Sequence, residues 1–140
     1  KFLYAVLEMT GQIAAYKKEG NDWMYQSTYE INPEGFSGKN GGADIKVSAD
    51  GKFLYATNRG DANTIATFSV EKDGALNKLA NTPVKGKGPR NFNLSPDGKY
   101  LLVANQYTNN IVLFSRDPKS GLLTDTEKEI KVPAPVCIVF

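Results

Sequence analysis

The sequence contains no histidine and only one cysteine, Cys137. A lone cysteine cannot close a disulfide within the chain, and no histidine is present to activate its thiol as a nucleophile. Because Cys137 lies in the apolar stretch Val136-Cys137-Ile138-Val139, we expect its thiol to be buried in the core. We therefore expect no cysteine nucleophile.

A strong net charge and long apolar runs are also absent. The net charge is +2, from 17 basic and 15 acidic residues spread along the chain, whereas nucleic-acid binding normally requires a clustered basic patch. No apolar run is long enough to cross a bilayer. We therefore expect a soluble protein with no nucleic-acid or membrane partner. A small anionic molecule stays open as its partner, and the expected location is the cytoplasm.

What the sequence does contain is a repeat. Its unit begins with an Asp-Gly pair, which supplies the positive backbone angles of a tight hairpin turn, and continues as an aromatic and β-branched run typical of a buried strand. The run ends at Asn58 and again at Asn105, 47 residues later. Three copies of the unit, the first of them truncated, lie at 1–8, 48–59 and 95–106.

Each copy is followed by a polar link, a second apolar strand, a turn with glycine and a more polar outer strand. A new apolar strand then leads into the next Asp-Gly turn. Four short antiparallel strands at this period are typical of a β-propeller blade. A β-sandwich does not require the same turn motif to return, and no segment has helical periodicity with caps. The sequence therefore predicts an all-β protein, a β-propeller with four-stranded antiparallel blades.

With the strands of a blade named A to D from the inside outward, the chain begins in a strand B and ends in a strand A. It thus holds about three blades, at roughly 1–42, 43–88 and 89–134, and a closing strand at 135–140. Since the chain begins without methionine and inside a predicted strand, we expect its natural N-terminus to be missing. The open blade flanks would be covered by a missing N-terminal part of the propeller or by self-association.

This topology sorts residues onto two faces. The Asp-Gly turn joins strands A and B, so the end of strand B and the start of strand A lie on the opposite face. Loops that differ between repeats of a rigid scaffold commonly carry binding and catalysis. The candidates on this face are Glu8, Asn58, Arg59, Asn105 and Gln106 at the ends of B strands, and Asp44 and Arg90 at the starts of A strands.

Structural interpretations of these residues stay open. Asparagine at a strand end commonly bonds the backbone, and the charged candidates can be solvated surface groups. We assign Asp50 and Asp97 to the turns alone, with the glycines that follow them. Trp23 and the tyrosines are interpreted as packing between blades and not as a stacking platform.

Five motifs follow one another along essentially the whole chain and together resemble the lactonase family. That family includes propeller-type 6-phosphogluconolactonases and carboxymuconate cyclases. The resemblance implies a seven-bladed propeller, of which this chain would be the C-terminal part. The motifs are Gly35-Phe36-Ser37-Gly38, Phe53-Leu54-Tyr55-Ala56-Thr57-Asn58-Arg59-Gly60, Gly88-Pro89-Arg90-Asn91-Phe92, Leu102-Val103-Ala104-Asn105-Gln106 and Pro135-Val136-Cys137.

The resemblance also implies roles for the candidates. In the cyclase branch, arginines and a glutamate of the central groove are regarded as catalytic, and the family motifs Asn-Glu-Leu and Asn-Arg-Gly fall on Leu7-Glu8-Met9 and Asn58-Arg59-Gly60. Glu8 and Arg59 are accordingly the expected catalytic residues. Many members have histidine after the second motif, where this chain has Asp61. The other candidates are expected to bind substrate because of the face on which they lie, and they are Arg90, Asn58, Asp44, Asn105 and Gln106.

Hydrolysis of a sugar lactone requires a base to activate water, positive charge to stabilise the oxyanion and a cation to hold a phosphate or carboxylate. Glu8, Arg59 and Arg90 are suited to these roles, and no metal or cofactor is required. The expected function is hydrolysis of 6-phosphogluconolactone to 6-phosphogluconate. Two alternatives stay open, a carboxymuconate lactonising enzyme and a non-catalytic propeller that binds a ligand or protein.

The sequence predicts that the 140-residue chain alone does not hold a complete active site. Three blades leave two apolar flanks uncovered, and exposed flanks with unpaired edges drive association. We expect the isolated chain to associate and to lack full lactonase activity, which analytical ultracentrifugation and a lactonase assay would measure. A stable monomer with full activity would contradict this expectation.

Overall fold

The computed structural model describes residues 1–140 as eleven strands in three antiparallel sheets. No helix in it has the length and hydrophobicity needed to span a membrane. The first sheet comprises β1 (Phe2–Leu7), β2 (Gln12–Glu19) and β3 (Asp22–Glu30). The second comprises β4 (Gly42–Val47), β5 (Phe53–Asn58), β6 (Thr64–Val70) and β7 (Leu76–Pro83). The third comprises β8 (Pro89–Leu94), β9 (Tyr100–Asn105), β10 (Asn110–Arg116) and β11 (Leu123–Lys131).

Each sheet is a meander in which strands adjacent in sequence pair with each other. The second and third sheets are complete four-stranded units, and the first begins at its second strand, so the predicted blade architecture is confirmed. A β-bulge recurs between the third and fourth strands of every unit, at Ala15/Tyr16, Thr67/Phe68 and Leu113/Phe114. Bulges increase local twist, so each outer strand is twisted at the same point.

The Asp-Gly turns join the first and second strands of the complete sheets. Ser48 donates its hydroxyl to Asp50 Oδ1 over 2.6 Å and accepts the Phe53 amide over 3.0 Å, while Gly51 has a φ of 71°. Residues 95–98 repeat this turn with the same bonds. The serine bond lowers the carboxyl pKa in both turns. These contacts confirm the turn role predicted for the two aspartates.

Apolar side chains on both faces of β5 form the core. Successive residues of a strand point to opposite faces. Phe53 and Tyr55 pack with Phe92 of the third sheet, whereas Leu54 packs with Ile13 of the first. All six residues of β5 are buried. The second sheet is therefore packed between the other two, as a blade of a propeller is.

Two hydrogen bonds from tyrosines, the tyrosine ties, join the first sheet to the second and the second sheet to the third. The Tyr4 hydroxyl donates to the Gly74 carbonyl over 2.8 Å, and the Tyr55 hydroxyl donates to the Gly121 carbonyl over 2.7 Å. Only the second tie includes a guanidinium, because Arg116 Nε donates to the Tyr55 hydroxyl over 2.7 Å. Burial raises the pKa of Tyr55, and the arginine partly offsets this. The phenol therefore stays neutral and is bonded on both sides.

The C-terminal segment differs from the prediction. Residues 135–140, predicted as a closing strand, form no strand and no backbone ladder with the neighbouring β8. Their contacts to β8 come instead from side chains, with the Ile138 amide donating to Asn91 Oδ1 over 2.7 Å and Asn93 Nδ2 donating to the Ile138 carbonyl over 3.1 Å. Cys137 is consequently exposed, and the predicted buried thiol is wrong. Trp23, on the outermost strand of its sheet, is also 40% exposed.

The two tyrosine ties predict unequal losses of stability. Tyr55→Phe leaves a buried carbonyl and the Arg116 Nε without their partner, so we expect the free energy of unfolding to fall by about 3 kcal/mol. Tyr4→Phe removes one half-buried bond and should cost about 1 kcal/mol. Urea titrations of both variants would measure the difference. We expect the m-values of both variants to equal that of the wild type. Equal losses would show that the Arg116 contact does not stabilise the fold.

Candidate functional site

A pocket of about 550 Å³ opens on the face where the second strands of the sheets end. Nine of its ten lining residues are polar or glycine, and Tyr107 is the single apolar one. Three of the lining side chains are cationic and two are acidic. A pocket of this composition suits a small, polar and anionic molecule.

Glu8 and Arg59 meet at this pocket. Arg59 Nη2 donates to Glu8 Oε1 over 2.8 Å, and the two side chains are 23% and 58% exposed, respectively. Glu8 directly follows β1 and Arg59 directly follows β5, so the ion pair joins the first sheet to the second. The other N–H groups of the guanidinium form no hydrogen bond within the protein. They are thus available to an oxygen atom of a ligand.

Asn58 lies beneath this pair and is 1% exposed. Its Nδ2 donates to Asn32 Oδ1 over 2.6 Å and to Asn40 Oδ1 over 3.1 Å, and its Oδ1 accepts the Gly60 amide over 2.9 Å. Both polar atoms are therefore engaged within the protein. The side chain holds the backbone on both sides of Arg59, and its predicted contact with substrate stays a prediction.

The loop at 32–42 forms one wall of the pocket and is fixed by close backbone contacts. A Cβ at Gly60 would lie 2.1 Å from the Lys39 carbonyl oxygen, so only glycine permits this approach. Asp61 Oδ2 accepts the Lys39 amide over 2.8 Å. Lys78 Nζ donates to the Asn32 carbonyl over 2.5 Å, and burial lowers the pKa of this lysine. Asp61 thus anchors the loop.

Asp44 does not line the pocket and instead connects two sheets. Its Oδ2 accepts Asn91 Nδ2 over 2.7 Å and the Phe92 amide over 3.0 Å, while Lys46 Nζ lies 3.0 Å from the same oxygen. The carboxylate therefore joins β4 to β8 near their starts. These contacts give Asp44 Oδ2 partners within the protein. The predicted role of Asp44 in substrate binding stays a prediction.

The other three candidates lie on the predicted face but do not line this pocket. Arg90 is exposed at the start of β8 and forms no ion pair. Asn105 is fully buried, and its Nδ2 donates to the Val84 carbonyl over 3.0 Å. Gln106 is half-buried, at the position that Arg59 occupies one repeat earlier. Their contacts with substrate stay predictions.

Of the ten residues that line the pocket, the sequence predicted only Glu8 and Arg59 as site residues, and those not predicted include Lys39, Lys87 and Tyr107. Neither lysine forms an ion pair, and both are exposed. The only available signal was that both lysines lie in links that precede a first strand, on the face expected to bind. No spacing in the sequence distinguishes such a lysine from one on an ordinary surface.

The chain resembles known proteins along its whole length. The family described as Lactonase, 7-bladed beta-propeller matches residues 1–140. A 6-phosphogluconolactonase of Formosa agariphila is 40% identical over 137 residues, covering 94% of the chain and 38% of that protein. The 6-phosphogluconolactonase of Bacillus subtilis is 32% identical, covering 100% of the chain and 41% of that protein.

A solved structure supports the same relationship. The periplasmic gluconolactonase of Pseudomonas aeruginosa superposes with a TM-score of 0.93 at 38% identity, covering 97% of this chain and 38% of that one. The chain therefore spans about two fifths of the length of the relatives it matches. The three sheets correspond to less than half of such a protein.

The buried amide contacts predict that Asn58→Asp is destabilising. The substitution replaces a donor by a carboxylate that faces two side-chain oxygens, so we expect a loss of about 3 kcal/mol at pH 7. Burial raises the pKa of the new carboxyl above its unfolded value of about 4. The loss should therefore be small below pH 4, grow as the pH rises from about 4 to the raised pKa, and stay constant above it.

Urea titrations at pH 3.5 and pH 7 would measure this effect. Asn63→Asp is the matched control, because Asn63 Oδ1 accepts the Gly88 amide over 2.8 Å and a half-buried carboxylate can keep that bond. We expect the control to lose less than about 1 kcal/mol. A loss for Asn58→Asp that does not depend on pH would contradict donation by Asn58 Nδ2 to the side-chain oxygens of Asn32 and Asn40.

Proposed function

Because the chain belongs to the lactonase family of seven-bladed β-propellers, we propose that it forms part of the active site of a sugar lactone hydrolase. We propose 6-phosphogluconolactone as the substrate. The observation that carries this proposal is the Glu8–Arg59 ion pair of 2.8 Å in a polar pocket between two sheets. The names of the two 6-phosphogluconolactonase relatives support the choice of substrate.

The pair fits the chemistry of lactone hydrolysis. Glu8 accepts a proton from a water molecule as the water oxygen attacks the lactone carbonyl carbon. The carbonyl oxygen becomes an oxyanion, which the free N–H groups of Arg59 stabilise. The bond from the carbonyl carbon to the ring oxygen then breaks, and the ring oxygen takes up the proton from Glu8. The product is the open-chain hydroxy acid.

The phosphate group has candidate partners in the same pocket. Lys39 and Lys87 have no acidic partner, whereas Glu8 is paired with Arg59 and Asp61 is bonded to the Lys39 backbone. Each ammonium is a compact charge at the end of a flexible side chain, so it can move to contact a bound phosphate. The two lysines thus supply the cation that substrate binding requires.

A polar pocket also favours an enzyme over a propeller that binds a protein. Protein interfaces place aromatic and apolar residues at the centre of the contact, whereas nine of ten residues here are polar or glycine. We further propose that blades beyond these three sheets complete the groove, since the chain spans about two fifths of its relatives. A cytoplasmic location is consistent with a phosphorylated substrate, which does not cross membranes unaided.

Removal of the Arg59 guanidinium tests the proposal. In the full-length protein, we expect Arg59→Ala to lower kcat for 6-phosphogluconolactone by about 100-fold or more, because a charge-stabilising donor is lost in the transition state. Asp97→Asn is the control on the opposite face, and its kcat should equal that of the wild type. Stopped-flow hydrolysis assays would measure both values.

Two outcomes would contradict this assignment. Equal turnover by the wild type and Arg59→Ala would remove Arg59 from the active site. Cyclisation of carboxymuconate by a wild-type protein that leaves sugar lactones intact would replace hydrolysis by lactone formation, with the same arginine holding a carboxylate of the substrate.

A further inference from the structure

Tyr107 is the one apolar surface in an otherwise polar pocket. It lies in the link between β9 and β10 and is 63% exposed. The structure gives its ring no aromatic partner and its hydroxyl no hydrogen bond. The ring is therefore free to contact a ligand, in contrast to the packing role that the sequence predicted for the tyrosines.

The ring does not lie loosely on the surface, because a glycine supports it from behind. A Cβ placed on Gly88 would lie 2.6 Å from Cδ2 of Tyr107 and 2.8 Å from its Cγ. Gly88 also has a φ of 71°, which disfavours any other residue. One part of the ring thus rests on backbone, and the remainder faces the pocket.

The backbone around the ring is fixed on both sides. The Tyr107 amide donates to the Lys87 carbonyl over 3.0 Å, and the Gln106 amide donates to the Gly88 carbonyl over 2.9 Å. The Lys87 amide donates to Thr108 Oγ1 over 3.0 Å. These bonds join the two links that carry Tyr107 and Lys87. The backbone that carries Tyr107 and Lys87 is therefore a single hydrogen-bonded unit.

The repeat does not require an aromatic residue here. Tyr107 occupies the position that Gly60 occupies 47 residues earlier, and there the Lys39 carbonyl fills the space of the missing side chain. The third sheet thus departs from the second at a residue that lines the pocket. A departure from the repeat in a loop on a rigid scaffold is the kind of position where function is located.

We propose that Tyr107 is a platform for the ring of an anionic sugar, with the C–H face of the ring on the phenol and the anionic group toward Lys87 and Lys39. A sugar ring has one apolar C–H face and polar hydroxyls elsewhere, which matches a polar pocket with one aromatic surface. The inference rests on the proposed function for the identity of the ring, which would be the lactone. Tyr107 then selects cyclic sugars over open-chain anions.

Binding of glucose 6-phosphate to the full-length protein tests this platform without catalysis. The sugar has the required ring and anionic group and contains no lactone to hydrolyse. By isothermal titration calorimetry, we expect Tyr107→Ala to weaken binding about fivefold to tenfold. Tyr107→Phe keeps the ring and should stay within about twofold of the wild type. Tyr25→Ala is the matched control, since Tyr25 is 56% exposed on the outer strand β3.

Inorganic phosphate separates the platform from the cations. Its binding should be unchanged in Tyr107→Ala and weakened in Lys87→Ala, because phosphate has charge but no ring. Saturation-transfer NMR should also show magnetisation passing from aromatic protons to the sugar ring protons in the wild type, with loss of this transfer in Tyr107→Ala.

The outcomes distinguish the platform from the proposed function. Equal affinity of the wild type and Tyr107→Ala for glucose 6-phosphate would overturn the platform, even in a protein that hydrolyses the lactone. Failure of the wild type to bind the sugar at millimolar concentration would overturn it as well. Weaker sugar binding by Tyr107→Ala in a protein without lactone turnover would support the platform and overturn the proposed function alone.

Discussion

Burial of both faces of β5 requires a sheet on each side of that strand. Phe53 and Tyr55 are covered by the third sheet, and Leu54 and Ala56 are covered by the first. Full burial of a large apolar side chain such as that of Phe53 or Leu54 stabilises the fold by about 1.5–3 kcal/mol. The order in which the sheets stack is therefore determined by hydrophobic burial. The relative positions of the strand ends, where the pocket lies, follow from that stacking.

The pocket depends on this stacking because its two central charges come from different sheets. Glu8 follows the last residue of β1, and Arg59 follows the last residue of β5. Their 2.8 Å contact forms only when the first and second sheets are packed together. The buried amide of Asn58 then fixes the backbone around Arg59. A partly exposed ion pair contributes little stability by itself, so its position at a pocket is better explained by function.

The two faces of the sheets differ in how their polar groups are used. On the Asp-Gly face, Asp50 and Asp97 are bonded within their own turns, and the serine bonds lower the pKa of both carboxyls. On the opposite face, Lys39 and Lys87 have no acidic partner, and Arg59 retains free donors. The two aspartates of the Asp-Gly face are thus engaged within their own turns, whereas the opposite face places three cationic side chains around one pocket that can accept an anion. Differences between repeats, and not the repeat itself, create the pocket.

The strands, the turns and the face on which the strand ends gather could be predicted from the sequence, because a 47-residue repeat with an Asp-Gly turn restricts local geometry. The sequence also singled out Glu8 and Arg59. It did not reveal the exposure of Cys137, because a short apolar run is buried only where a neighbouring strand covers it. Only the tertiary structure showed that Asp44 joins two sheets and that Tyr107 rests on a distant glycine. Contacts between residues far apart in the chain depend on how the sheets pack, which no local pattern records.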